Sequence, residues 1–480
     1  PRLGIAYQAN SKTVVRLGYG RSFDIGVFGT IFGHSITQNL PVLGSQDYSA
    51  GGAGAQDINT AFFLQNGPQS FNPSTALTVN NCNAITDPTG IQPDGSYIPD
   101  KTQCLGANGR SLLPNGVFAR IRPFNNRLPT VDAWNVSVQR QITSTLSATV
   151  AYVGNKGTHT LIGDNPAYGL NNRTVQGYNP NCKTLDPLDP TKPSAACIAL
   201  NALPYQLRTP FYLKYGWLQG VDYFGNDADN HYNSLQATVE KRFSGGLSLQ
   251  SSYTFQHAMY YSNNGYFNID KSVGYGPNSN YRNHVFILTE LYQLPFGKGK
   301  RWGSDSSRVV DAVLGGWQIT TSWNISSGLP FTPSLANCSA SIDNGPCRPD
   351  RVGSITSGTR SGDPRAGGYW FGTTGGVPLN TLGATANGWG QTATIDTFGN
   401  VQTNSYRGPK FFNVDAGLFK DFILTERFKA QFQFQTFNLF NHANLDLPNT
   451  TVDASNGGAI TNIAYGSQMR RLQFGLKLAF

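Results

Sequence analysis

The chain has 480 residues, 39% hydrophobic and 13% charged, with 54 glycines, 12% aromatics and a formal net charge of +9. No run approaches the roughly 18 to 20 consecutive apolar residues of a membrane helix, and the mean hydropathy of −0.31 is mildly hydrophilic. Length alone suggests about three soluble domains, yet low charge with many glycines and aromatics fits one array of strands in which only every second residue is apolar.

Eleven strands are expected, at 2–8, 13–23, 131–142, 146–154, 232–243, 247–258, 282–295, 313–326, 410–422, 428–440 and 469–480. In the second, Gly18 and Gly20 are expected to relieve crowding on the inner side. Side chains in a strand alternate between two faces, and here one face is apolar and the other polar. In the fifth strand Leu235, Ala237 and Val239 oppose Ser234, Gln236, Thr238 and Glu240. In the sixth Leu247, Leu249, Tyr253 and Phe255 oppose Ser248, Gln250, Ser252, Thr254 and Gln256. The eighth sets Trp317, Ile319, Thr321, Trp323 and Ile325 against Gln318, Thr320, Ser322 and Asn324. The tenth sets Phe428, Ala430, Phe432 and Phe434 against Lys429, Gln431, Gln433 and Gln435, and the last sets Leu472, Phe474, Leu476, Leu478 and Phe480 against Arg471, Gln473, Gly475, Lys477 and Ala479. Large polar groups in register would each cost several kcal/mol in a dry core, so they need water. A soluble sandwich edge also alternates; the repetition argues for an antiparallel transmembrane β-barrel with lipid outside and a wet lumen inside.

The connections alternate in length. Short turns are expected at 9–12, around Ser144, and at 244–246, 296–311 and 423–427, and long segments rich in Gly, Pro, Asn and Ser at 24–130, 155–231, 259–281, 327–410 and 441–468. Membrane barrels keep short turns on the periplasmic side and long loops outside, which places Phe480 in the periplasm of a bacterial outer membrane. The first and last strands then both descend, so joining them would make a parallel pair in an antiparallel barrel. Single-chain bacterial barrels have even strand counts, and two open edges in lipid would leave naked backbone groups costing several kcal/mol each. The chain also begins at Pro1 without a methionine or signal peptide. Residues 1–480 therefore read as the C-terminal part of one barrel domain, with long outer loops at about 24–130, 155–231 and 327–410.

Six cysteines fall as Cys82 with Cys104, Cys182 with Cys197, and Cys338 with Cys347, one pair in each of the three longest segments. Six allow fifteen connectivities, and only these local pairings keep each bridge within one loop. Disulfides imply an oxidising compartment, and each closure is worth about 3 kcal/mol of loop ordering. The rival, a zinc site, lacks CxxC spacing and a nearby histidine cluster.

Other constellations carry less. The six histidines, at 34, 159, 231, 257, 284 and 442, lack metal or triad spacing. Asp222, Asp227 and Asp229 share one loop but not the twelve-residue calcium pattern, and read as a solvated acidic turn. No phosphate-cradling glycine loop precedes a helix, so no catalysis, cofactor or metal is expected. The positive charge is spread rather than striped, which disfavours nucleic acid. Arg16, Lys429, Arg471 and Lys477 point inward by alternation; basic groups at the outer rim suit phosphates of surface lipid, and a basic lumen would instead favour anionic ligands.

Several segments in order, RLGYGRSFD (16–24), WNVSVQRQI (134–142), YVGNKGTH (152–159), YNSLQATVEKRFSGGLSLQSSYTFQHA (232–258), LPFGKGKRW (294–302) and FNLFNHAN (437–444), resemble TonB-dependent outer-membrane receptors. They are most similar to the Oar-like branch, whose members often carry an N-terminal carboxypeptidase-regulatory-like domain. The resemblance implies a barrel of about 22 strands plugged by an N-terminal domain, importing a ligand with energy delivered by TonB. This chain then supplies its second half, without the plug, the TonB-contacting box or the regulatory-like domain. Implied partners are outer-membrane lipid, the N-terminal half with its plug, the TonB complex through that half, and the barrel assembly machinery through the strand ending at Phe480.

If the resemblance holds, ligand contacts come from the outer loops. The loop aromatics Tyr212, Tyr215, Trp217, Tyr223, Tyr369, Trp370 and Trp389 are candidates for stacking on sugar rings or gripping peptide side chains; the competing reading is that they pack loop against loop. Trp134, Tyr152, Tyr292, Trp302 and Phe422, near strand ends, are expected in the interfacial girdles. The function expected is uptake of a large ligand such as a peptide or oligosaccharide. The alternatives are a structural or adhesive surface protein without transport, and a soluble secreted β-rich protein.

Overall fold

The computed structural model describes residues 1–24, 50, 62–66, 119–121, 127–162, 185–186, 189–193, 221–223, 225–261, 271–336, 347–354, 369–371, 379, 383–386, 388–391, 399–423, 425 and 428–479. Its centre is one antiparallel sheet of eleven strands in sequence order. They are β1 (Arg2–Asn10), β2 (Thr13–Phe23), β3 (Thr130–Gln141), β4 (Leu146–Ile162), β5 (Gly225–Ser244), β6 (Leu247–Tyr261), β7 (His284–Gln293), β8 (Trp317–Ser326), β9 (Phe411–Ile423), β10 (Lys429–Phe437) and β11 (Arg471–Ala479). A short strand, Tyr275–Pro277, pairs with the end of β6.

Register carries a single apolar face across these strands. Tyr7 opposes Val15, and the row continues through Val138, Val150, Ala237, Tyr253, Phe286, Ile325 and Phe412. A second row runs Tyr292, Ile319, Leu418, Phe434 and Phe474. The other face carries Arg16, Ser137, Gln236 and Thr254 in one row and Gln318, Phe419, Gln433 and Gly475 in another. Because the side-chain period is two, a slip of one residue anywhere would put glutamines and phenylalanines on the wrong sides.

Turn chemistry fixes the ends. Between Ser244 and Leu247, Gly245 and Gly246 have φ of +61° and +85°, the doubly positive pair a tight two-residue hairpin requires. β10 stops at Phe437 rather than reaching residue 440, because Asn438 takes φ +53° and caps the bend. Its Nδ2 donates to the carbonyls of His442 and Gln468, both at 2.9 Å.

Three boundaries differ further from expectation. β4 and β5 run on to Ile162 and back to Gly225, where Ile162, Tyr223 and Ala228 form a small apolar cluster that supports the extension. β8 begins at Trp317 rather than residue 313, since Arg308–Leu314 forms a helix, α1, with the Ser307 hydroxyl accepting the Val310 N–H at 3.4 Å. Gly18 meets the crowding foreseen: a Cβ there would lie 2.7 Å from the Asn135 side-chain amide, whereas one at Gly20 would make only ordinary contact. Gly18→Val should therefore destabilise the β2–β3 pair by about 1–3 kcal/mol, and Gly20→Val by less, as read from urea unfolding of the two variants in detergent.

Candidate functional site

The sheet separates two environments. On the apolar face no second layer covers the side chains among the described residues: Phe474 is 67% and Leu476 68% exposed, and Ile5, Leu17, Val138, Val150 and Leu235 are exposed as well. The polar face is knit by side-chain hydrogen bonds within and between strands. Gln433 donates to Gln431 at 2.7 Å, Gln431 to Asp421 at 2.9 Å, and Arg16 to Gln139 at 2.9 Å. A sheet that gathers its amides on one face and leaves the phenylalanines and leucines of the other uncovered is unstable in water and stable only where hydrocarbon meets the apolar side. The family described as outer membrane beta barrel domain matches residues 1–473. The chain belongs to that family.

Membership makes the polar face the barrel's inner wall and places the protein in the bacterial outer membrane. The family is a membrane barrel, not an enzyme. Solved structures similar to the chain include the ferric-catecholate import receptor Fiu of E. coli K12 (8% identity, TM-score 0.37, 100% of this chain and 34% of that one). The pyoverdine receptor FpvA of Pseudomonas aeruginosa PAO1 (9%, 0.37, 100% and 36%) and the ferric preacinetobactin receptor BauA of Acinetobacter baumannii (9%, 0.35, 100% and 36%) are similar to the same degree. The chain spans about a third of the length of these receptors. No curated protein matches it in sequence.

At the end of the family's barrel where the long connections emerge, one packed cluster stands out. Phe331, Leu335, Trp370, Phe371, Leu379, Trp389, Val401, Tyr406, Val452 and Ile460 bury one another, gathered from two long connections. Trp389 is the hub at 0% exposure, with ring centroids of Tyr406 and Phe371 at 5.3 and 5.7 Å. Short ladders hold the cluster: Asp350–Arg351 and Thr385–Ala386 flank Trp389–Gly390, and Pro330–Phe331 pairs with Tyr406–Arg407. It is tied down to the wall by Asn444, which bonds the Phe412 N–H and carbonyl at 2.7 and 3.0 Å, and by Arg407, which donates to Asn283 at 2.8 Å.

Of the candidate ligand aromatics, Tyr212, Tyr215 and Trp217 lie outside the described residues. Trp370 and Trp389 are buried in the cluster, Trp370 donating from Nε1 to the Arg407 carbonyl at 3.0 Å, and Tyr369 is half-buried beside them, bridged to Ala459. Tyr223 is buried apart from this group, its hydroxyl donating to Asp227. Burial and that carboxylate push the Tyr223 hydroxyl well above the usual phenol range. The buried rings thus shape the loops, and Tyr369 is the one of the four described with surface to offer.

Sequence spacing gave no sign of Arg348. It is 8% exposed within the cluster, donating to the Thr403 hydroxyl at 2.6 Å and the Val401 carbonyl at 3.4 Å, and burial pushes its guanidinium down to about 10. Nor was the approach of His231 to His257 legible: the β5–β6 register brings their rings to 6.2 Å, with the Tyr275 hydroxyl 3.0 Å from His231 Nδ1. The Asp227 carboxylate is engaged by Tyr223. Of the cysteines, Cys347 is described and packs against the cluster, while Cys82, Cys104, Cys182, Cys197 and Cys338 lie outside the described residues, as does Phe480.

Trp134 and Tyr152 sit on the outward face toward the long connections, and Tyr292 and Phe422 toward the short turns. Both strand ends thus carry aromatic rings where a girdle belongs.

Proposed function

We propose that the chain is the C-terminal half of a TonB-dependent receptor and helps to import a ligand too large for passive pores. The observation that carries this reading is strand direction. β1 and β11 both run toward the short-turn end and lie at the two margins of the sheet. Antiparallel closure then needs an odd number of further strands, and eleven more give the 22 of plugged outer-membrane transporters. The tethered loop cluster supports the reading too, because a receptor must hold its ligand face steady above a wide barrel.

Under this reading the short turns face the periplasm, and the barrel assembly machinery engages β11 through its end at Phe480. The plug and TonB act through the N-terminal half. Peptide, oligosaccharide or a comparable ligand meets Tyr369 and the aromatics Tyr212, Tyr215 and Trp217, with Trp370 and Trp389 holding the frame. The three local cysteine pairs staple the loops, each bridge closing within one long connection.

Deletion of tonB in cells carrying the complete gene should abolish energised uptake of the ligand while leaving the protein at the surface. Uptake that persists without TonB would overturn the import reading and favour a structural or adhesive role.

A further inference from the structure

The two ends of the wall differ in charge. Next to the short turns the outward face takes Arg140, Lys241 and Lys420, with Glu290 as an outward carboxylate near them, while toward the long connections its charges include Lys156 and the Arg21–Asp132 ion pair at 2.7 Å. The adjoining connection, residues 294–316, adds Lys298, Lys300 and Arg308. Acidic groups there are fewer, and one of them, Asp311, is occupied by the Lys298 backbone N–H.

Within that connection α1 turns Val309, Val310, Val313 and Leu314 to one side, and all four are exposed. Spacings of one, three and four residues put them on a single helix face. Phe296 and Trp302, with ring centroids 5.2 Å apart, are exposed beside it. A short apolar face flanked by aromatics and cations is the composition of a segment lying between hydrocarbon and headgroups.

The connection is fastened to lipid-facing side chains of the wall. Trp317, an outward residue, donates from Nε1 to the Val313 carbonyl at 2.8 Å. Outward Lys420, 2% exposed, donates to the Gly315 carbonyl and lies 5.5 and 5.1 Å from the ring centroids of Trp317 and Phe422. Between α1 and the ends of β8 and β9 opens a groove of about 680 Å³ lined by Lys298, Lys300, Arg308, Trp317 and Phe422 together with Asp311 and Asp421, whose carboxylates accept from the Lys298 N–H and from Gln431. Cations and aromatic rings share one cleft there, matching the phosphate and the glycerol–acyl boundary of a phospholipid.

We propose that residues 294–316 form a membrane anchor lying in the headgroup layer at the short-turn end, and that the groove seats the phosphate of an anionic phospholipid. Lys298, Lys300 and Arg308 meet the phosphate, and Val309, Val313 and Trp302 enter the acyl boundary. This requires the membrane location alone and not the import function, so failure of either leaves the other standing.

The test is lipid retention by the full chain in nanodiscs of phosphatidylcholine with a minority of phosphatidylglycerol, read by native mass spectrometry. Wild type should retain phosphatidylglycerol preferentially. The triple variant K298Q/K300Q/R308Q should lose that preference by on the order of 100-fold at low salt, while the lumen triple R16Q/K429Q/K477Q and the charge-keeping K298R/K300R/R308K should retain it. Independently, Trp302→Phe should remove a fluorescence component that lipid brominated near the carbonyl end quenches in the wild type. Equal retention of the two lipids by wild type, unchanged preference in the first triple variant, displacement of the lipid by inorganic phosphate, or an unquenched Trp302 would each overturn the proposal.

Discussion

Leu476→Arg should cost about 2–4 kcal/mol of folding stability in a bilayer, whereas Gln433→Arg, at nearly the same height on the opposite face, should cost under about 1 kcal/mol. Leu476 stands outward, 68% exposed and opposite Phe432, and Gln433 stands inward opposite Gly475. A guanidinium at the first position must be drawn into hydrocarbon or pull water after it; at the second it joins a wall already lined with amides. Urea titration of vesicle-folded protein, followed by the heat-dependent gel shift, separates the two. Equal losses would mean that both faces meet the same medium, which would remove the basis for a membrane wall.

Trp389→Ala should unseat the loop cluster, costing about 3–5 kcal/mol at that site, and leave the strands in place. The indole touches Tyr406 and Phe371 and is wholly enclosed, so truncation leaves a void among side chains drawn from two separate connections. Hydrogen exchange should rise by orders of magnitude in residues 369–371, 388–391 and 401–406 and stay protected in β8 to β11. Trp389→Phe should cost less, because its Nε1 has no acceptor among the described residues, so its loss removes a buried unpaired donor along with the area. Global unfolding in the alanine variant would instead mean that the cluster and the wall are one cooperative unit.

The wall was legible because two solvents write alternate letters of each strand. Gln431, Gln433 and Gln435 against Phe432 and Phe434 leave no other economical arrangement, and the register confirms those faces residue by residue. What alternation missed lies where it ceases to operate. At the short-turn end Phe419 points inward and Lys420 outward, since near the boundary a long cation can reach polar atoms and its face no longer follows its charge. The Val309–Leu314 stretch read as part of a turn and strand, and its helix arises from Ser307 capping that a strand pattern does not anticipate. In the loops the sequence pointed to Trp370 and Trp389 but not to what covers them: Val452 and Ile460 come from a different connection, and nothing local announces that meeting. Arg348 was silent for the same reason, its partners Val401 and Thr403 being remote in sequence.

Among the described residues neither face of the wall packs against a second sheet, so many of its side chains touch fluid rather than fitted neighbours. Trimming or enlarging one of these exposed side chains opens no void and forces no clash, so substitutions of like polarity there cost little, unlike at buried Val414 or at Gly154 against Trp134. Evolution should therefore exchange residues of like polarity at the exposed positions of β1 to β11 while preserving their rhythm, and hold constant the places where matter is solid, among them Gly18 against Asn135, the Gly245–Gly246 bend and the knot around Trp389.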